Sequence, residues 1–284
     1  MQSLTNISEV KSLLSRHGFS FSKALGQNFL INPSVSPRMA KACGAGKNTG
    51  VLEIGPGIGV LTRELAALAY RVAAVEIDSR LLPVLNETLA DFPNAKVIHG
   101  DVMKLDLQNI IAREFGGLKT VICANLPYYI TSPVLMKLLE SRLSVESITV
   151  MVQKEAADRI CALPGTRECG AVTLAVWYHA TPKKLFSVSR GSFMPAPKVD
   201  SAVIKLDIRK SPPVEVRDEK AMFRLIRAAF AQRRKTLANS LTAAGLTREQ
   251  TISLLDKAGI PRQSRAEQLT LEQFAILANQ MPDV

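Results

Sequence analysis

Residues 49–59 read TGVLEIGPGIG, an apolar run over Thr49–Gly55 that ends on the first of three glycines, Gly55, Gly57 and Gly59. A short apolar segment bounded by glycine is the pattern of a buried strand, and helix-like spacing follows at Val60, Leu61, Leu65 and Leu68. The stretch therefore predicts a strand, a tight turn and a helix. Glycines at such a turn let the backbone reverse sharply and approach a ligand. A dinucleotide fingerprint, GxGxxG, needs its third glycine where this chain has Val60. The observed GxGxG spacing argues against a pyrophosphate-bearing cofactor and towards a nucleoside without phosphates.

Arg71–Ile77 reads as a second buried strand and Ser79–Leu89 as the helix after it. Lys96–His99 is a short third strand ending at Gly100-Asp101. Thr120–Ala124 is a fourth, followed by Asn125-Leu126-Pro127-Tyr128 and a helix over Pro133–Leu139, and Ser147–Gln153 is a fifth. Strands alternating with helices at this spacing predict an α/β fold with a doubly wound, mostly parallel sheet. Leu185–Val188 and Val199–Ile208 are expected to close one edge, joined by a proline-containing loop. Lys210-Ser211-Pro212-Pro213 marks a linker. Beyond it, helices are expected over Lys220–Gln232, Arg233–Ala244, Arg248–Lys257 and Thr270–Asn279. The expected division is residues 1–208 and a small all-α C-terminal domain, residues 209–284.

Composition sets the outer limits. Of 284 residues, 47% are hydrophobic and 21% charged, which excludes a disordered or fibrous chain. No stretch approaches 18 consecutive apolar residues, so no membrane span is expected. The four cysteines, Cys43, Cys123, Cys161 and Cys169, form no CxxC pair, and there are only three histidines, so no metal site is expected. Free thiols and the absence of a recognisable signal peptide point to the cytoplasm. The charge is out of line: 36 Lys+Arg against 25 Asp+Glu gives +11, which favours a polyanion partner, above all nucleic acid. Residues 209–284 hold 13 basic and 8 acidic groups, a net +5, so nearly half the excess lies in about a quarter of the length.

Candidate ligand groups stand at successive strand ends. Glu76 lies 21 residues after Gly55, where a carboxylate can accept hydrogen bonds from both ribose hydroxyls. Asp101 ends the third strand and can accept from an adenine amino group. A glycine turn alone is often only structural, and an acid after a strand is more often a helix cap, as Asp78 reads. Three such features at consecutive strand ends favour an S-adenosylmethionine pocket. Asn125-Leu126-Pro127-Tyr128 then offers an amide oxygen, a main-chain carbonyl held by a rigid proline, and a flat ring. These parts suit a planar base whose exocyclic amine is a poor nucleophile. Two acceptors favour the pyramidal amine and stabilise positive charge on nitrogen during methyl transfer, and Tyr128 can stack on a base taken out of its helix.

Glu53–Gly59, Glu76, Gly100-Asp101 and Asn125–Tyr128 together resemble the rRNA adenine dimethyltransferases. Residues 24–30 (ALGQNFL) match their N-terminal motif, and residues 193–201 (FMPAPKVDS) match the loop before their last strand. Residues 230–237 (FAQRRKTL) resemble the KsgA type, which acts on the small subunit. The resemblance implies a Rossmann-like class I methyltransferase domain over 1–208 and a helical RNA-binding domain over 209–284. It implies S-adenosylmethionine-dependent dimethylation of two adjacent adenosines near the 3′ end of small-subunit rRNA, on an assembling subunit; separately, the chain is expected to be a monomer. It adds Asn28 and Leu30 to Gly55, Glu76, Asp101 and Asn125 around the cofactor, and sets Phe193 across the base from Tyr128. Tyr129 departs from the asparagine many members carry there.

Arg224, Arg227, Arg233, Arg234 and Lys235 are the expected RNA-phosphate contacts, with Arg224, Arg227 and Arg234 or Lys235 approaching one helical face. A solvated face is the usual meaning of such a run; behind a catalytic domain that modifies RNA, phosphate contact is the better reading. Three rivals remain. One is an Erm-type large-subunit methyltransferase, against which residues 230–237 argue. A second is a nucleic-acid-binding assembly or transcription factor on a methyltransferase scaffold. The third, an NAD-dependent dehydrogenase, is disfavoured by Val60.

Overall fold

A computed structural model describes residues 3–22, 26–232, 234–243 and 245–281. In chain order the elements are α1 (Ile7–Arg16), β1 (Phe29–Leu30), α2 (Val35–Ala42), β2 (Thr49–Ile54), α3 (Val60–Leu68) and β3 (Arg71–Glu76). Next come α4 (Leu82–Thr88), β4 (Ala95–His99), α5 (Leu107–Phe115), β5 (Lys119–Asn125), α6 (Thr131–Glu140), β6 (Ser147–Gln153), α7 (Lys154–Ile160) and α8 (Ala171–His179). The chain continues through β7 (Ala180–Val188), β8 (Phe193–Met194), β9 (Ser201–Ile208), α9 (Glu219–Phe230), α10 (Leu237–Ala243), α11 (Arg248–Lys257) and α12 (Leu271–Gln280).

One sheet holds seven strands in the order β4-β3-β2-β5-β6-β9-β7. The first five are mutually parallel, and β9 runs antiparallel to β6. This is the expected doubly wound α/β sheet, with the two late strands at one edge. Every residue of β2 is buried, which is why the stretch reads as a continuous apolar run. The chain leaves β2 for β3 on one side and returns to β5 on the other. A crevice therefore opens at the carboxyl ends of β2 and β5, where open α/β sheets bind ligands. At the opposite ends, Arg71, Lys96 and Arg113 reach the buried Glu114 carboxylate at 2.9, 2.7 and 2.9 Å, tying β3, β4 and α5 together.

A second, two-stranded ribbon goes beyond the elements expected from sequence. In it β1 pairs antiparallel with β8, setting Leu30 opposite Phe193 and Phe29 opposite Met194. The Ile31 N–H extends it by donating to the Ser192 carbonyl at 2.8 Å.

The chain forms two compact units, Met1–Ala157 with Lys183–Ile208, and Asp158–Pro182 with Arg209–Val284. The break after Ile208 falls at the linker signal. The expected continuous span 1–208 needs correcting, because residues 158–182 belong with the helices. The reason is α8, whose sequence AVTLAVWYH is apolar on nearly every side. It needs a helical neighbour, and the Tyr178 and His179 rings pack edge-on and stacked against Phe223 of α9. The same unit buries Phe274 of α12 against Phe230 of α9.

Helix ends in the tail also differ from expectation. The helix expected over Lys220–Gln232 is capped by Asp218, whose Oδ1 accepts from the Ala221 N–H, so it starts one residue earlier, and it stops at Phe230. The helix expected over Arg233–Ala244 starts only at Leu237. Arg233 and Ala244 lie outside the described residues.

Candidate active site

The turn after β2 is built on its glycines. Gly57 has φ +59°, and a Cβ there would meet the Phe29 ring at 3.2 Å, so both backbone conformation and space call for glycine. Its N–H donates to Glu76 Oε2 at 3.2 Å, while Glu76 Oε1 accepts from the Asp78 N–H at 2.8 Å. Glu76 ends β3 and is 5% exposed. Burial pushes its carboxyl above the usual range, while those two N–H groups oppose that effect. Each oxygen keeps a lone pair for a ligand hydroxyl. Asp78 does cap the short turn after β3, as it reads in the sequence, through the Arg80 N–H.

Asp101 follows β4, two residues past its end, and its Oδ1 accepts from the Met103 N–H at 2.9 Å. Asn125 is the last residue of β5, in register with Met151 of β6. Its side chain makes no hydrogen bond among the described residues. The Leu126 N–H donates to the Met151 carbonyl at 3.3 Å, which fixes the start of the tetrad on the sheet. The Pro127 carbonyl is occupied, accepting from the Ile130 N–H at 3.2 Å and Thr131 Oγ1 at 3.3 Å. The main-chain acceptor left to the site is therefore the Leu126 carbonyl. Tyr128 is half-buried and its hydroxyl lies 2.7 Å from Ser201 Oγ; burial raises the phenol, which stays neutral.

These groups surround one cavity of about 340 Å³. Asn28, Leu30, Gly55, Glu76, Asp101, Asn125, Leu126, Pro127, Tyr128 and Phe193 all line it, so every residue expected for cofactor or base is brought to the same place. Asn28 Nδ2 donates to the Gly26 carbonyl at 3.1 Å, and Leu30 and Phe193 arrive together on the β1–β8 ribbon. The size falls within the range of small-molecule sites, and the walls are mainly apolar with a few convergent polar groups. A nucleoside cofactor fits this donor set: two carboxylates stand at neighbouring strand ends, and the glycine turn lacks the dinucleotide spacing that cradles a pyrophosphate.

Glu53 and Gln27 also belong to the cavity wall, though sequence reasoning gives neither a role. Glu53 is 1% exposed, its Oε2 has no partner among the described residues, and burial pushes its carboxyl up to about 8. Gln27 bridges the Ser22 N–H and Asp78 Oδ2, the latter at 2.8 Å. Its signal is its place in the ALGQNFL stretch.

The basic residues are not gathered as expected. Arg224 and Arg227 are exposed on α9, and Arg224 lies 3.7 Å from the exposed Asp218. Arg234 and Lys235 are exposed in the turn before α10, where the Lys235 N–H donates to the Gln232 carbonyl. Because α9 ends at Phe230, they do not continue its face, and the single-face arrangement does not form. Among the described residues no cluster of His, Cys, Asp and Glu could hold a metal ion, and no helix is long and apolar enough to cross a membrane.

A seven-stranded sheet of this order, with a glycine turn and acids at its carboxyl ends, defines a Rossmann-like methyltransferase. The comparison with known proteins narrows the class. The chain belongs to the ribosomal RNA adenine dimethylase family, whose model matches residues 18–283. It is 48% identical over 274 residues to the ribosomal RNA small subunit methyltransferase A of Geobacillus thermodenitrificans (strain NG80-2), covering 95% of this chain and 94% of that protein. It is 43% identical over 283 residues to the protein of that name from Alkaliphilus oremlandii (strain OhILAs), covering 99% of each. Among solved structures, a dimethyladenosine transferase from Plasmodium falciparum superposes with a TM-score of 0.71 at 26% identity, over 88% of this chain and 95% of that one. The 23S rRNA methyltransferase ErmE gives 0.67 at 29% identity, over 88% and 98%.

Proposed function

We propose that this chain dimethylates the exocyclic amino groups of two adjacent adenosines near the 3′ end of small-subunit rRNA, using S-adenosylmethionine, on the assembling subunit. One observation carries the reading. Two acceptors without partners among the described residues, the Asn125 side chain and the Leu126 carbonyl, stand beside Tyr128 on the wall of the cavity that also holds Glu76 and Asp101.

Glu76 accepts from the ribose hydroxyls, its two oxygens aimed by the Gly57 and Asp78 N–H groups. Asp101 accepts from the adenine amine through the oxygen that Met103 leaves unused. Asn28, Leu30 and the Gly55 turn complete the wall. When bound, S-adenosylmethionine supplies an electrophilic methyl group on a positively charged sulfur. Tyr128 and Phe193 hold the flipped adenine by its faces, and stacking is worth about 1–3 kcal/mol per base. Asn125 Oδ1 and the Leu126 carbonyl accept from the target amine. They favour its pyramidal form and stabilise the positive charge that develops on nitrogen. No dedicated base is needed, because the cationic product amine loses its proton readily to water. Holding the partners in line supplies much of the remaining acceleration.

The exposed Arg224, Arg227, Arg234 and Lys235, with Arg233, contact RNA phosphates and position the substrate without reading its sequence. The helical unit is the RNA-binding part. The protein works in the cytoplasm as a monomer; the cytoplasmic reading is supported by four free cysteines, three of them buried. The Erm-type alternative is weakened by the higher identity to small-subunit enzymes.

The test is mass spectrometry of both rRNAs after incubation with labelled S-adenosylmethionine. Two doubly methylated adenosines in the small-subunit RNA are expected. Label confined to the large subunit, or no label, overturns the proposal.

A further inference from the structure

Lys137 lies on α6 and its Nζ donates to two main-chain carbonyls, Met103 at 2.7 Å and Leu105 at 3.1 Å. Both belong to the turn after β4 that begins with Asp101. Within that turn the Asp101 carbonyl accepts from the Lys104 and Leu105 N–H groups, and its Oδ1 accepts from Met103. Asp101, Val102 and Met103 all line the cavity. At the start of the same helix, Thr131 Oγ1 donates to the Pro127 carbonyl, inside the base-holding tetrad. Lys137 is six residues further on, about 9 Å along the axis. One rigid helix thus backs both ends of the cavity.

The carbonyls of an exposed turn can be satisfied by water, and a solvated lysine keeps its rotamer freedom. Holding the ammonium on two carbonyls gives up that freedom, and what it gains is a fixed turn. We infer that Lys137 is a positioning residue: by pinning the Met103 and Leu105 carbonyls it sets the turn that presents Asp101, and so sets the affinity for the adenine part of the cofactor. This rests on the reading of Asp101 as the adenine acceptor.

The test is a double-mutant cycle by calorimetry on the full chain, with S-adenosylmethionine and with adenosine as the probe of the base end. Lys137→Met is expected to raise Kd for both about five- to tenfold, and Lys137→Arg, which keeps the donors, to stay within about twofold of wild type. Added to Asp101→Ala, Lys137→Met is expected to cost nothing more, because the lysine acts through that carboxylate. A lysine that merely fastens the fold would lower the melting temperature while leaving Kd unchanged, or would multiply with Asp101→Ala; either result overturns the inference. So does a loss for S-adenosylmethionine with none for adenosine. If Asp101→Ala itself binds normally, the assignment of Asp101 falls and this inference falls with it. If only Lys137→Met binds normally, this inference alone falls. Lys137→Leu, which likewise carries no donor, gives the same comparison should the methionine variant not fold.

Discussion

The Tyr128 hydroxyl meets the Ser201 hydroxyl at 2.7 Å, joining the ring that follows β5 to the first residue of β9. Ser201 is fully buried and pairs in register with Gln153 of β6, so the ring is held by the sheet itself. Its orientation is set before any base arrives. Ser201→Ala and Tyr128→Phe each remove the same bond and are expected to lower kcat/KM for RNA alike, by about three- to tenfold. Tyr128→Ala also removes the stacking surface, and a loss of roughly 10- to 100-fold is expected. Steady-state kinetics on all three variants checks the order; a normal Tyr128→Ala enzyme would remove the ring from base binding.

Glu76 braces the glycine turn and faces the cavity, so its loss should be felt by the cofactor alone. Glu76→Ala is expected to weaken S-adenosylmethionine binding by about tenfold or more, with RNA affinity nearly unchanged. Calorimetry with each ligand decides it, and unaltered cofactor affinity would sink the assignment.

In the proposed reaction Asn125 contributes an acceptor whose worth grows as charge develops on the target nitrogen. Asn125→Ala is expected to slow methyl transfer by roughly 100-fold, as for loss of one preorganised transition-state partner. Single-turnover rates at saturating cofactor and RNA read this directly; a near-normal rate excludes the role.

Arg234 and Lys235 stand exposed in the turn before α10. Neutralising them together with Arg233 should weaken RNA binding and flatten the plot of log affinity against log salt, by about 0.7–0.9 for each phosphate that is no longer neutralised. An unchanged slope would mark them as an ordinary solvated surface.

Glu53 makes stability depend on pH. Its carboxyl, ordinarily near 4.5, is pushed up to about 8 by burial. Between those values the folded protein binds a proton that the unfolded chain does not, so this group lowers stability as pH rises from 4.5 towards 8. Glu53→Gln should remove the decline, gaining on wild type by on the order of 4 kcal/mol at about pH 8 relative to about pH 4.5. Thermal melts across that range check the sign; parallel curves for the two proteins would contradict it.

The sheet and its functional edge are legible in the sequence because both depend on local pattern. The strand read over Ser147–Gln153 matches β6 at both ends, and Arg71–Ile77 runs one residue past β3. Glu76, Asp101 and Asn125 stand out because strand ends bring their side chains together whatever the loops do. Features set by tertiary packing are not legible. The β1–β8 ribbon is two residues long on each side, too short to show alternation. Without periodicity, α8 does not announce itself, and missing it misplaces the domain boundary. The end of α9 carries neither glycine nor proline, so the run AQRRK reads as helix and its arginines as one face. Lys137 looks like any solvated lysine until the turn after β4 is in place.

The β1–β8 ribbon also bears on how the protein is made. Leu30 finds its partner only at Phe193, much later in the chain. The strand β9, which anchors Tyr128, follows later still. A chain leaving the ribosome therefore completes the glycine turn and the first five strands of the sheet well before the pocket has its far wall. The pocket is complete only once residues 193–208 have been made.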